Sequence, residues 1–176
     1  INKKIENFSI NQKLIDFIEW FSMYNMVPRG LALKMCIGNG RNLFKKEDKI
    51  EKYKKIKITK YSLNKEQANS LKYLENVKGK FKVSVLEGTT GSGKTLVYFE
   101  RIKKIIKEDK QALVLLPEIF LTNQFQSRFK EFFGFSPAIW HSKITPKNKR
   151  IILKGIIQNK IKLIIGARSS LMLPFK

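Results

Sequence analysis

The run Gly88-Thr89-Thr90-Gly91-Ser92-Gly93-Lys94-Thr95 sets glycines, hydroxyls and a lysine at the spacing G-x-x-x-x-G-K-[ST]. Glycines let a backbone curl until successive N–H groups face one concavity, and a helix that starts there adds partial positive charge. A triphosphate suits such a nest. Lys94 would reach the β- and γ-phosphates and the Thr95 hydroxyl would ligate Mg²⁺, so ATP and Mg²⁺ are the expected ligands. The flanks agree, because Val83-Ser84-Val85-Leu86 reads as a strand running in and Leu96 to Ile106 leaves with helical spacing.

Hydrolysis asks for more than a phosphate cradle, since an acidic residue at the end of a second strand must hold Mg²⁺ or position water. The nearest candidate is Leu113-Val114-Leu115-Leu116-Pro117-Glu118, but Pro117 and Ile119 to Thr122 give it the look of a different element. The Walker B carboxylates are therefore expected to be missing, and ATPase activity of this chain alone to be weak or absent. Other chemistries find few residues. Cys36 is the single cysteine and His141 the single histidine, which excludes an intrachain disulfide and a multi-cysteine zinc site. His141 has no Asp or Glu close in sequence, so a hydrogen-bonded structural role is expected of it rather than acid–base work.

The elements that must carry these residues can be read from periodicity. Asn11 to Met26 has apolar residues at three- and four-residue spacing and predicts a helix. Pro28 opens a second helix that Gly38-Asn39-Gly40 closes. Residues 1–41 are thus mostly helical. Residues 42–60 are Lys-rich and too poor in apolar residues for a core of their own, which describes a solvated linker. From residue 61 onward helices are expected at about Asn64–Asn76, Lys94–Lys107, Thr122–Phe133 and after Thr145-Pro146. Strands are expected at Phe81–Leu86, Ala112–Leu116, Ala138–His141 and Lys162–Ile165. Short apolar strands alternating with amphipathic helices predict an α/β fold with a parallel sheet covered on both faces. Its strand-to-helix loops should lie together at the carboxyl edge, where such folds bind ligands. Phe125, Phe129, Phe132 and Phe133 recur at helical spacing and are expected in the core, while Trp20 and Tyr24 are expected to pack the N-terminal helices.

The chain has 176 residues, 36 Lys+Arg against 14 Asp+Glu, and a net charge of +22. Such an excess favours a polyanionic partner through counterion release. Only six of the basic residues are Arg, and the richness in Lys, Ile, Asn and Phe is what AT-rich coding produces, so drift competes with nucleic acid as the explanation. No apolar run approaches the ~18 residues of a membrane-spanning helix. A lone cysteine fits a reducing compartment such as the cytoplasm.

Leu63-Asn64-Lys65-Glu66-Gln67, Gly88 to Thr95, Leu113 to Thr122 (LVLLPEIFLT), His141-Ser142 and Ile165 to Phe175 (IGARSSLMLPF) occur in the order and spacing of one family. From Leu63 onward the chain resembles the primosomal replication-restart DNA helicases of the PriA type (primosomal protein N′), in superfamily 2. Ile15 to Ile37 is similar to the end of that family's N-terminal DNA-binding, winged-helix-like region, with the stretch Trp20 to Pro28 as the cue. The resemblance implies a partial RecA-like first motor lobe over residues 61–176, preceded by a DNA-binding remnant over 1–41. It implies an ATP-dependent helicase moving 3′ to 5′ on DNA, with forked and single-stranded DNA, primosome and replisome proteins as partners, acting as a monomer in the bacterial cytoplasm without a membrane.

By the same resemblance Gln67 matches an adenine-recognising glutamine, and Lys94 and Thr95 match phosphate and magnesium residues. Pro117, Glu118, Thr122, His141, Ser142, Arg168, Ser169 and Ser170 fall in motifs that face single-stranded DNA or couple it to nucleotide. The family's acidic box, zinc-binding insertion and second lobe have no counterpart in these residues, so the expectation is a fragment. An alternative is a truncated, non-catalytic module that binds DNA and nucleotide. Individual residues also keep local alternatives. Gln67 and Asn64 have the spacing of a capping box, Glu118 could cap a helix, and Arg168 could pair with an acidic neighbour instead of a phosphate.

Overall fold

The computed structural model describes residues 10–38, 61–76, 81–117 and 123–175. Three short apolar runs build its sheet: β1 (Ala112–Leu115), β2 (Ala138–Trp140) and β3 (Leu163–Gly166), in the order β1-β3-β2 and parallel throughout. Parallel neighbours cannot be joined by a hairpin, so a helix crosses over each time. These are α5 (Asn123–Phe133) between β1 and β2, and α6 (Pro146–Ile157) between β2 and β3. Thr145 starts α6 by accepting from the Asn148 N–H at 3.3 Å, with Pro146 in the first turn where its missing N–H is not needed.

Side chains alternate across a strand, so β3 feeds two cores. Leu163 and Ile165 face α5 and α4 (Lys94–Lys107), whose Phe99, Phe129, Phe132 and Phe133 form a continuous aromatic cluster. The Phe stripe is core, as its spacing predicts. Ile164 faces the other way into Ile152, Leu153 and Ile156 of α6, with Trp140 beside them. α3 (Lys65–Glu75) lies against α4, and Glu75 and Lys104 pair across the two helices.

The amino-terminal end of the sheet is fastened by polar groups. Lys162 pairs with the Asp109 carboxylate at 2.7 Å, and the Asn159 amide donates to the same carboxylate at 3.1 Å. The Gln111 amide bonds the carbonyls of Ile156 and Ile161 at 2.9 and 3.0 Å. At the other end of the chain order, α1 (Gln12–Tyr24) and α2 (Arg29–Ile37) bury Leu14, Ile18, Ala32 and Cys36 together with Met172, which belongs to a 3₁₀ turn (Arg168–Met172) after β3. Asn11 caps α1 and also donates to the Phe175 carbonyl at 2.8 Å. The N-terminal helices therefore share a core with the α/β portion.

One expected element is not formed. Residues 81–89 have no strand pairing among the described residues, and Phe81, Val83 and Val85 are 97%, 75% and 87% exposed. The alternation is that of a strand, but extended backbone becomes a strand only when a neighbour accepts its hydrogen bonds, and among the described residues β1, β2 and β3 pair only with one another. The remaining elements fall within one or two residues of their expected bounds. Residues 42–60 lie outside the described residues, and no described helix is long and apolar enough to cross a membrane.

Candidate nucleotide and nucleic-acid site

The phosphate-type loop is shaped by its glycines. Gly91 and Gly93 take φ of +86° and +81°, a left-handed region that other residues enter at a cost, and Gly93 is the residue from which α4 starts. A Cβ at Gly93 would stand 2.4 Å from the Gln67 amide nitrogen. That amide donates to the Ser92 carbonyl at 3.1 Å, so α3 braces the loop from one side. Lys94 folds back over the loop, donating to the Gly88 carbonyl and, at 2.8 Å, to that of Thr89. Its ammonium thus hangs over the concavity on backbone oxygens that an anion can replace as partner. The Thr95 hydroxyl accepts from Tyr98 at 3.4 Å, a weak bond that leaves a hard oxygen for a cation. Curled backbone, lysine, hydroxyls and helix start together fit a magnesium-bound triphosphate.

Gln67 performs the scaffold role that its spacing allows. Asn64 and Gln67 make both bonds of the capping box, at 2.8 and 3.1 Å, so the side-chain oxygen of Gln67 is held by α3 while its nitrogen holds the loop.

A second hollow of about 590 Å³ opens at the carboxyl edge of the sheet, lined by Leu115, Pro117, Ser142, Ala167, Arg168 and Ser169. These residues come from the loops after all three strands. α4 reverses through a short turn into β1, so the loop at its N-terminus faces the same end of the sheet as this hollow. Arg168 and Ser169 are exposed, and among the described residues nothing pairs with the Arg168 guanidinium. Among the described residues no acidic neighbour pairs with Arg168, and Glu118 of the adjoining loop lies outside them.

Two of the neighbouring motif residues are turned to other tasks. Ser170 is fully buried and its hydroxyl donates to the Ala167 carbonyl at 2.5 Å, which closes the 3₁₀ turn beneath the hollow; it does not line it. Gly166 makes room for that turn, since a Cβ there would meet Ser170 Oγ at 2.5 Å and the Trp140 carbonyl at 2.9 Å. His141 accepts the Lys143 N–H on Nδ1 at 3.2 Å, a turn-shaping bond of the kind expected of a lone histidine. Glu118 and Thr122 lie outside the described residues. Cys36 offers no chemistry, because burial pushes its thiol up to about 11. Among the described residues no group of His, Cys, Asp and Glu could hold a metal ion.

The sequence reading also missed a surface. Trp20 and Tyr24, expected inside the helical pair, are 55% and 73% exposed. They stand one turn apart on α1, and periodicity reports which residues share a face without saying whether anything covers it.

Residues 60–175 match the family described as type III restriction enzyme, res subunit. The chain belongs to that family. Within it the chain is similar to proteins named replication restart protein PriA: 39% identical to that of Rickettsia conorii over 97% of this chain and 26% of the relative. It is 40% identical to that of Helicobacter pylori strain J99 over 74% of this chain and 20% of the relative. A third, from Bacillus subtilis, is 42% identical over 54% of this chain and 12% of the relative. The chain thus spans about a quarter of the length of the first of these relatives. With the family in hand, the three-stranded parallel sheet between helices is a partial RecA-like lobe.

Proposed function

We propose that this chain is part of an ATP-driven DNA helicase of replication restart, moving 3′ to 5′, as the name of its relatives invites. Gly88 to Thr95 take the phosphates of ATP, with Lys94 moving from the loop carbonyls to the anion and Thr95 ligating Mg²⁺. Gln67 meets the adenine with the edge that now bonds Ser92. Single-stranded DNA runs along the carboxyl edge, its backbone held by Arg168, Ser169, Ser142 and the Pro117 loop, with Glu118 and Thr122 at the same edge and His141 and Ser170 shaping it from behind. Donors aimed at phosphates grip without reading bases. Residues 10–38 represent the end of a DNA-binding region. Fork DNA, primosome and replisome proteins are the partners of the whole protein, which acts in the cytoplasm as a monomer.

The observation that carries this reading is Arg168 at the rim of the edge hollow, exposed and without a partner among the described residues. Turnover is a separate matter. β1, β2 and β3 are followed by Leu116-Pro117, His141 and Ala167-Arg168, none a carboxylate, so this chain alone binds nucleotide and DNA without efficient hydrolysis. Fluorescence anisotropy with labelled single-stranded oligonucleotides tests the edge. Arg168→Gln should weaken binding about five- to tenfold on every base sequence, and affinity should fall steeply with salt. Unchanged affinity in the variant, or a salt-insensitive, sequence-dependent complex, would contradict the assignment.

A further inference from the structure

Arg168 and Ser169 line not one hollow but two. The second, of about 530 Å³, lies between α1 and the 3₁₀ turn, and its walls are Phe17, Trp20, Phe21, Tyr24, Leu171 and Met172. Trp20 and Tyr24 stack on each other at 5.2 Å with an interplanar angle of 20°, and Phe17 leans on Trp20 at 5.8 Å. The result is a short aromatic stack, exposed on two of its rings, that begins where the edge hollow ends. No Asp or Glu lines either hollow among the described residues.

We propose that this face of α1 is a base-stacking subsite for single-stranded nucleic acid: a nucleobase lies against Trp20 and Tyr24 while its adjoining phosphate is held by Arg168 and Ser169. The proposal rests on the reading of the edge hollow as a nucleic-acid site and extends it around Arg168. The pairing of an aromatic surface with an exposed guanidinium is the chemistry that recognises a nucleotide unit of any sequence, because every base offers a π-face and every unit a phosphate. An apolar peptide would use the rings but leave the guanidinium unpaired. The net charge of +22 points the same way. The base contact is sequence-tolerant and belongs to α1, outside the loops that carry the phosphate contacts.

The test compares the 176-residue chain with Trp20→Ala, Trp20→Phe and Tyr24→Ala on a labelled oligothymidylate and on the same oligonucleotide with abasic sites. Loss of one stacked base should weaken binding by on the order of tenfold in Trp20→Ala, with Trp20→Phe largely retaining affinity. Wild type should lose a similar factor on the abasic strand, and Trp20→Ala should no longer distinguish the two strands. The salt slope should stay that of wild type, because no phosphate contact is removed. Circular dichroism of each variant shows whether it is folded, and Tyr24→Ala, at the most exposed ring, provides the second line should Trp20→Ala unfold. If Arg168→Gln weakens binding while the aromatic variants do not, the stacking subsite is wrong and the edge reading stands. Absence of binding by wild type overturns both. If wild type sediments as a dimer that the aromatic variants break, with DNA affinity unmoved, the face serves a second copy of the chain and the proposal falls.

Discussion

Gly93 shows what the loop demands of a single residue. Its φ of +81° and the Gln67 amide 2.4 Å from where a Cβ would stand leave no room for a side chain. Gly93→Ala is therefore expected to cost about 1–3 kcal/mol and to lower affinity for a nucleotide triphosphate, as denaturant melts and a titration will read. Stability and affinity equal to wild type would contradict the strained geometry. Asp109 sets a different test. The hydrogen bond and charge of Lys162, helped by Asn159, hold its carboxyl below the ordinary 3.8. A lowered carboxylate contributes stability above the unfolded value and loses it as pH falls through the folded one. Asp109→Asn should thus be less stable than wild type at neutral pH, with a gap that closes as pH drops below 3.8 and narrows with salt, because the carboxylate is exposed. A gap that is constant across the acid range would remove the pairing. At this scale the sequence conveyed residue types well and directions poorly. The spacing marks Gly88 to Thr95 and the capping box of Asn64 and Gln67, yet nothing in it tells that Ser170 turns inward or that the Gln67 amide nitrogen braces the loop at Ser92.

Elements were legible where their partners lie nearby in the chain. The three- and four-residue spacing of Phe125, Phe129, Phe132 and Phe133 gave both helix α5 and its buried face, because the strands it covers come directly before and after it. Phe129 is fully buried against Phe99, Phe125 and Phe133, so Phe129→Ala should destabilise by about 3–5 kcal/mol in thermal or denaturant unfolding, a large part of a domain's stability. A loss under 1 kcal/mol would mean that the cluster is not the core. Residues 81–86 carry an equally clear alternation and form no strand with the described residues, since a strand's existence is decided by its neighbour's backbone and not by its own side chains. Trp20 and Tyr24 fail in the same way. A helical face can be read from sequence, but its cover cannot.

For the whole molecule, what matters is that three loops, a helix start and an α1 surface share one end of a small parallel sheet. That convergence follows from strand direction: in a parallel sheet every strand ends at the same edge, so motifs scattered from Leu115 to Ser169 become neighbours. The charge of +22 is a property of the whole chain rather than of any one residue, and it favours a polyanion at the edge where the proposed function puts the DNA backbone. The family match over residues 60–175 covers the same end, whereas α1 and α2 join it through Met172 and Phe175. The account depends on the glycine-rich loop accepting a triphosphate. Calorimetric titration of the chain with magnesium and a non-hydrolysable ATP analogue is the direct measurement. A single saturable site that is lost in Lys94→Ala, with the variant still folded, is the predicted result; no heat in wild type, or equal affinity in Lys94→Ala, would contradict it.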